Sequence, residues 1–224
     1  RLHIMSEKVK NLIIRAITGA VFVAIMVVGI SFRPDVMILL FAAITGLTIW
    51  EFTGLVNQSE NVAVNRFIST AAGIYFFLAV AGYCSGLTPS AAFVPYLLVS
   101  ELYLKQTNPI NNWAYTMLSQ MYIALPFSMI NVLAFRSTPD GNVTFEWLLP
   151  LSLFIFLWTN DTGAYCSGSL LGRHKLFPRI SPGKSWEGSI GGAVFVMIAA
   201  AIIYFLNVGQ TDGLVAGMPL WQWL

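Results

Sequence analysis

No charged side chain occurs in Ile190-Gly-Gly-Ala-Val-Phe-Val-Met-Ile-Ala-Ala-Ala-Ile-Ile-Tyr-Phe-Leu-Asn-Val208. A helix needs roughly 20 predominantly apolar residues to cross the hydrocarbon core of a membrane. Similar apolar runs, separated by short polar or proline-containing breaks, lie at 16–32, 36–56, 67–83, 87–104, 113–135 and 145–158. The sequence therefore predicts an all-α fold, a polytopic transmembrane helix bundle with about seven membrane helices.

The overall composition agrees with a membrane protein. Hydrophobic residues make up 57% of the 224 residues and charged residues 10%, whereas soluble domains carry about 25% charged residues. The formal net charge of +2 is too small to indicate nucleic-acid binding, and we expect no nucleic-acid partner. Because the chain has no strong repeat and no polar linker, we expect residues 1–224 to form a single integral membrane domain.

The basic residues are distributed unevenly between the two predicted sides of the membrane. If the chain changes sides at each predicted helix, all of them except Arg33 and Arg136 lie on the side of the N-terminus. Under the positive-inside rule this side is cytoplasmic. We therefore expect a multi-pass protein of a bacterial inner membrane, in contact with membrane lipid, whose N-terminus and loop at about 159–189 are cytoplasmic.

This predicted loop has the composition of an anion-binding segment. Its basic and hydroxyl side chains are those of Arg173, Lys175, Arg179, Lys184, Ser181 and Ser185. Cationic side chains neutralise phosphate oxygens, while hydroxyl and backbone N–H groups direct them. The next apolar run follows directly, so a phosphate is also expected near a helix N-terminus. The alternative for the basic residues alone is contact with anionic lipid headgroups, without any catalysis.

Asn160 and Asp161 introduce polarity directly after an apolar run. Ionisable groups near membrane depth are costly and indicate function by default, although Asp161 could also be an interfacial residue at a helix end. Gly183-Lys184-Ser185 invites comparison with a phosphate-binding P-loop. That motif requires a glycine where this chain has Pro178, and a preceding strand, which we do not predict.

The order and spacing of several motifs resemble the phosphatidate cytidylyltransferase family. These motifs are Asp161-Thr-Gly-Ala-Tyr165, the pair Gly168 and Gly172, His174-Lys175-Leu176, Ser181-Pro-Gly-Lys-Ser-Trp-Glu-Gly188 and Gly191-Gly192. The resemblance implies that CTP and phosphatidic acid react to give CDP-diacylglycerol and pyrophosphate, with Mg²⁺ as cofactor.

Under this resemblance, Asp161 and Lys184 are the candidate catalytic residues, and Asp161 is also a candidate metal ligand. The candidate substrate-binding residues are Asn160, Lys175, Arg179, Ser181, Pro182, Ser185, Glu187 and Gly188. The oligomeric state stays open, with a homodimer as the candidate assembly.

The resemblance does not extend to the C-terminal signature of the family, whose carboxylates are expected to supply the main metal ligands. The last acidic residue of this chain is Asp212. The chain therefore looks like a fragment, and full activity is not expected of it alone. Two alternatives remain open: a CTP-dependent polyprenol or phytol kinase, and a non-catalytic membrane transport or partner protein.

Overall fold

The structure is a computed structural model that describes residues 2–82, 95, 99, 103, 108–137, 141–207 and 218–223. These residues belong to two compact units, Arg1–Phe145 and Glu146–Leu224. The single-domain organisation therefore stays a prediction.

The first unit is mainly helical. Its described elements are α1 (Leu2–Ser31), α2 (Pro34–Val56), α3 (Arg66–Val80), α4 (Pro109–Ser119), a π-helical segment (Gln120–Ala124), α5 (Leu125–Ala134), β1 (Phe135–Ser137) and β2 (Val143–Phe145). The two strands pair antiparallel. Helices α3 and α4 each begin after a capping asparagine. Asn65 and Asn108 accept a hydrogen bond from a backbone N–H in the first turn of α3 and α4, respectively.

The core of this unit is formed by apolar side chains from consecutive helices. Ile49 of α2 packs with Ile123 and Ala124 of the π-helical segment. This segment ends two residues before Pro126, which has no backbone N–H and disfavours a regular α-helical turn before it. The N–H of Leu125 accordingly donates to the carbonyl of Gln120, five residues back.

The second unit consists of two long helices joined by a hairpin. Its described elements are α6 (Leu148–Leu171), β3 (Lys175–Phe177), β4 (Ser181–Ser185), α7 (Trp186–Asn207) and a short 3₁₀ helix (Leu220–Gln222). The strands pair antiparallel, with Phe177 opposite Ser181 and Lys175 opposite Ser185. Because β4 runs directly into α7, the hairpin is fixed to the start of that helix.

The mainly helical prediction is confirmed, whereas the count of about seven membrane helices is not. Within the described ranges, four helical segments are long and apolar enough to cross a membrane: Ile13–Ser31, Pro34–Val56, Pro109–Ala134 and Trp186–Asn207. The predicted helix at 87–104 lies outside the described residues, apart from positions 95, 99 and 103. The described residues also form two short antiparallel hairpins, which hydropathy did not predict. Helix α1 begins at Leu2 and α7 at Trp186, both earlier than hydropathy predicted.

The prediction that differs most from the structure is the loop at about 159–189. Residues 159–171 continue α6, so Asn160 and Asp161 lie within a helix rather than in a loop or at a helix end. The remainder is the β3–β4 hairpin and the start of α7. Hydropathy falls in this half of α6 because its residues are small or polar, and such residues remain helical where another helix packs closely against them. The expectation that no strand precedes Gly183-Lys184-Ser185 is also wrong, since β3 precedes these residues and they themselves are part of β4.

Candidate functional site

Helices α6 and α7 approach each other closely through glycines. A Cβ atom added at Gly188 would lie 2.9 Å from the carbonyl oxygen of Ala164 and 3.3 Å from the Cα of Gly168. One added at Gly192 would lie 2.6 Å from Oδ1 of Asn160. Small residues let helix backbones pack at short distance in membranes. The glycines noted in the motifs therefore hold Asn160 and its helix against the start of α7.

Ser185 connects the hairpin to α7. Its hydroxyl accepts a hydrogen bond from the N–H of Gly188 at 3.2 Å, and Ser185 is buried. This is the pattern of an N-cap residue. The N–H of Trp186 donates to the carbonyl of His174 at 2.9 Å. Since these two N–H groups are already engaged, the start of α7 favours a phosphate mainly through its dipole and not through these donors.

His174 and Glu187 form a second link between the hairpin and α7. The Nδ1 atom of His174 lies 2.6 Å from Oε1 of Glu187, and the backbone N–H of His174 donates to both carboxylate oxygens, at 3.2 and 3.3 Å. Glu187 was predicted to bind substrate. The structure instead engages its carboxylate with the segment that leads into β3, so Glu187 helps to position the hairpin.

A cavity of about 420 Å³ lies where α6, β4 and α7 meet. This volume is within the range of small-molecule sites, about 300–1,000 Å³. The residues that line the cavity are Asn160, Asp161, Ala164, Tyr165, Gly168, Gly183, Lys184, Ser185, Gly188 and Ser189. On α6 the lining residues recur at intervals of four, which places them on one face of the helix.

Two opposite charges line this cavity without neutralising each other. Asp161 is on α6, Lys184 is on β4, and both are exposed. Within the part of the chain that the structure describes, the ion pairs are Arg33 with Asp35 and His174 with Glu187. The Lys184 ammonium group is thus available for phosphate oxygens, and the Asp161 carboxylate for a cation or a hydrogen-bond donor.

The structure brings about half of the predicted site residues together. Those that line the cavity are Asn160, Asp161, Lys184, Ser185 and Gly188, whereas Lys175, Arg179, Ser181, Pro182 and Glu187 do not line it. Five lining residues were not among the predicted site residues: Ala164, Tyr165, Gly168, Gly183 and Ser189. Tyr165 follows Asp161 by four positions, so assigning this segment to a helix would have placed both on the same face.

The oxygen donors of the cavity are compatible with Mg²⁺. In the described residues, no group of three or more His, Cys, Asp or Glu side chains is arranged to hold a metal. Magnesium is, however, commonly bound by one or two carboxylates together with substrate phosphates and water. Asp161 and its neighbour Asn160 both line the cavity, and their side chains carry a carboxylate and an amide oxygen. These two residues would hold the ion if a phosphate ligand completed its coordination.

The fold and the cavity define a helical membrane protein with a charge-bearing site at the junction of two helices and a hairpin. A sequence model of the cytidylyltransferase family matches residues 13–222. The chain belongs to this family.

Individual relatives carry a more specific name. The phosphatidate cytidylyltransferase of Haemophilus influenzae is 30% identical over 212 residues, which cover 86% of this chain and 73% of that protein. The protein of the same name from Pseudomonas aeruginosa is 28% identical over 181 residues, covering 80% of this chain and 65% of its own length. That from Staphylococcus aureus strain COL is 41% identical over 71 residues, or 31% of this chain and 27% of that protein.

Proposed function

We propose that this chain carries the nucleotide site of a phosphatidate cytidylyltransferase, an enzyme that makes CDP-diacylglycerol and pyrophosphate from CTP and phosphatidic acid. Family membership and the names of the relatives support this nucleotidyltransferase activity. The observation that carries the proposal is the cavity in which Asp161 and Lys184 face the same space. It offers a positive charge for a nucleoside triphosphate and a negative charge for the counter-ion of that triphosphate.

The chemistry requires positioning and charge neutralisation more than it requires a strong base. A phosphate oxygen of phosphatidic acid attacks the α-phosphorus of CTP, and the bond from that phosphorus to the pyrophosphate oxygen breaks. The second pKa of a phosphate monoester is about 6, so the attacking group is already largely ionised at neutral pH. Nucleotidyl transfer of this kind depends mainly on orientation and electrostatic stabilisation.

Each charged residue of the cavity has a role that follows from its chemistry. Lys184 binds phosphate oxygens of CTP and stabilises the charge that develops on pyrophosphate. Asp161 and Asn160 would hold Mg²⁺ through their side-chain oxygens, and the ion would supply charge neutralisation at phosphate oxygens. Ser185 holds the start of α7, and thereby Lys184 beside it, in place.

The proposed location of the cavity follows from where its proposed substrate CTP is found. We propose that the cavity faces the cytoplasm, where CTP is found, and that the protein lies in a bacterial inner membrane, with a homodimer as its assembly. Cys166 is exposed and adjacent to Tyr165. With Cys84 replaced by serine, a membrane-impermeant maleimide should label Cys166 in inside-out vesicles and not in right-side-out vesicles.

The activity is tested with radiolabelled CTP, phosphatidic acid and Mg²⁺, using membranes that contain the chain alone or the chain extended by the C-terminal segment of a homologue. We expect labelled CDP-diacylglycerol and pyrophosphate from the extended form. In that form, Asp161→Asn should lower product formation about 100-fold, the usual scale for loss of one electrostatic contact in a transition state, and leave the fold intact. Release of CDP with a phosphorylated lipid alcohol would instead identify a kinase, and absence of CTP binding would identify a non-catalytic protein.

A further inference from the structure

Two predicted substrate-binding cations lie outside the cavity, on the β3–β4 hairpin. Lys175 is in β3 and Arg179 in the turn, and both are exposed. Two large apolar side chains next to the turn are also exposed, Phe177 at 57% and Ile180 at 82%, whereas Lys175 lies opposite Ser185, at the end of the hairpin next to α7. We use the name hairpin tip for Lys175, Phe177, Arg179 and Ile180, which extend from the start of β3 to the turn.

The hairpin is attached directly to a membrane-spanning segment. Strand β4 ends at Ser185, and α7 begins at Trp186 as a helix long and apolar enough to cross a membrane. The His174–Glu187 contact and the bond from Trp186 N–H to the His174 carbonyl tie the other end of the hairpin to the same helix start. A five-residue strand extends about 17 Å at most, so the tip lies within about this distance of the start of α7 and within reach of the membrane surface.

The tip combines exposed apolar side chains with basic side chains, and a single environment can accommodate both. Exposed phenylalanine and isoleucine favour removal from water, while lysine and arginine favour anionic groups. The headgroup layer of a membrane that contains anionic phospholipid offers both, because phosphates lie directly above acyl chains. Among the described residues, neither Lys175 nor Arg179 forms an ion pair that would compete with such phosphates.

We propose that the hairpin tip is a docking surface for anionic phospholipid headgroups at the membrane surface. Lys175 and Arg179 contact lipid phosphates, and Phe177 and Ile180 enter the apolar layer beneath. The role of this surface rests on the proposed function: it concentrates the phosphatidic acid substrate next to the cavity that binds CTP. The nucleotide contacts Lys184, and the lipid layer contacts the tip.

A first experiment measures docking without any need for activity. In the protein with Cys84 and Cys166 replaced by serine, Phe177→Cys is labelled with a polarity-sensitive fluorophore and the protein is reconstituted in vesicles. We expect a blue shift of emission in vesicles with about 30% phosphatidylglycerol, relative to pure phosphatidylcholine, because the anionic surface attracts the basic tip. The control label is placed at Arg136→Cys, an exposed position in β1 of the other unit, where no such difference is expected.

A second experiment separates the lipid from the nucleotide. Lys175→Gln and Arg179→Gln are compared with Arg136→Gln, which removes the same charge elsewhere. Each tip variant should raise the KM for phosphatidic acid at least about threefold, in line with the modest contribution of one basic residue at a membrane surface, and leave the dissociation constant of CTP unchanged. Arg136→Gln should change neither quantity.

The outcomes distinguish this inference from the proposed function. A lipid-dependent emission shift without any CDP-diacylglycerol formation would support docking and contradict the proposed activity. Equal emission in both kinds of vesicle would overturn docking, and protection of the probe from both aqueous and lipid quenchers would do the same by showing that protein covers the tip. Weaker CTP binding in the Lys175 and Arg179 variants would also overturn it, because the tip would then belong to the nucleotide site.

Discussion

Replacement of Gly188 by alanine tests whether the close packing of α6 and α7 maintains the cavity. The added Cβ would lie 2.9 Å from the carbonyl oxygen of Ala164 and 3.3 Å from the Cα of Gly168. Both are backbone atoms of α6, which cannot turn aside as a side chain can. Ordinary contacts begin at 3.4 Å, so the helices must separate by about half an ångström at this point.

The expected effect combines two opposing contributions. Overpacking a tight contact costs about 1–3 kcal/mol, and alanine recovers at most about 1 kcal/mol relative to glycine in a helix. We therefore expect a net loss of about 1 kcal/mol, or a fall in the melting temperature of about 2–4 °C for a chain of this size. Misplacement by 1 Å can reduce an enzymatic rate about 100-fold. Half of that displacement between Asp161 and Lys184 should lower kcat/KM about tenfold.

The chain offers a matched control for this experiment. Gly183 lines the same cavity, and a Cβ added there meets no atom within 4 Å. Gly183→Ala should therefore keep the melting temperature and stay within about twofold of the original kcat/KM, since it adds the same methyl group without displacing a helix. The melting temperatures are measured in detergent, and kcat/KM is measured with CTP in the extended chain. If the two alanine variants behave alike, the packing argument is refuted.

Three further predictions follow from the site. Lys184→Gln should weaken CTP binding at least about fivefold in calorimetry, because an ion pair at 4 Å contributes about 1 kcal/mol even in bulk water, while Lys175→Gln should not weaken it. If both variants bind CTP as tightly as the unsubstituted chain, both lysines lie outside the nucleotide site. Ser185→Ala removes the cap of α7 and should lower stability by about 1 kcal/mol, and an unchanged melting temperature would argue against the cap. For Glu187→Gln and His174→Ala, the double variant should lose less thermal stability than the sum of the single losses, because both changes break one contact; additive losses would show that the pair is not coupled.

Much of the helical framework was predictable from local composition. The hydropathy of a segment is close to a sum over its residues, so the runs that became α2 and most of α7 could be located without knowledge of their neighbours. The signature from Asp161 to Gly192 likewise covers most of the residues that line the cavity. The boundaries were less accurate where helices extend into polar sequence. Helix α7 begins at Trp186 because Ser185 caps it, and hydropathy does not report caps.

The continuation of α6 through Asn160 and Asp161 could not be predicted in this way. A segment of low hydropathy forms a loop if no other element packs against it. The same segment continues as a helix if a helix that carries glycines packs closely against it. Gly188 and Gly192 decide between these outcomes, and they lie more than 25 residues further along the chain. The roles of Tyr165 and Ser189 in lining the cavity depend on the same helix pairing.

The amino-acid sequence determined that the chain forms apolar helices and that one segment carries the charges for phosphate chemistry, because charge and hydropathy belong to each residue separately. Only the tertiary structure decided how these charges are divided. It placed Lys184 with Asp161 in the cavity, left Lys175 and Arg179 on the hairpin, and engaged Glu187 with His174. Proximity between distant residues depends on the packing of α6, α7 and the hairpin, which no local property of the sequence encodes.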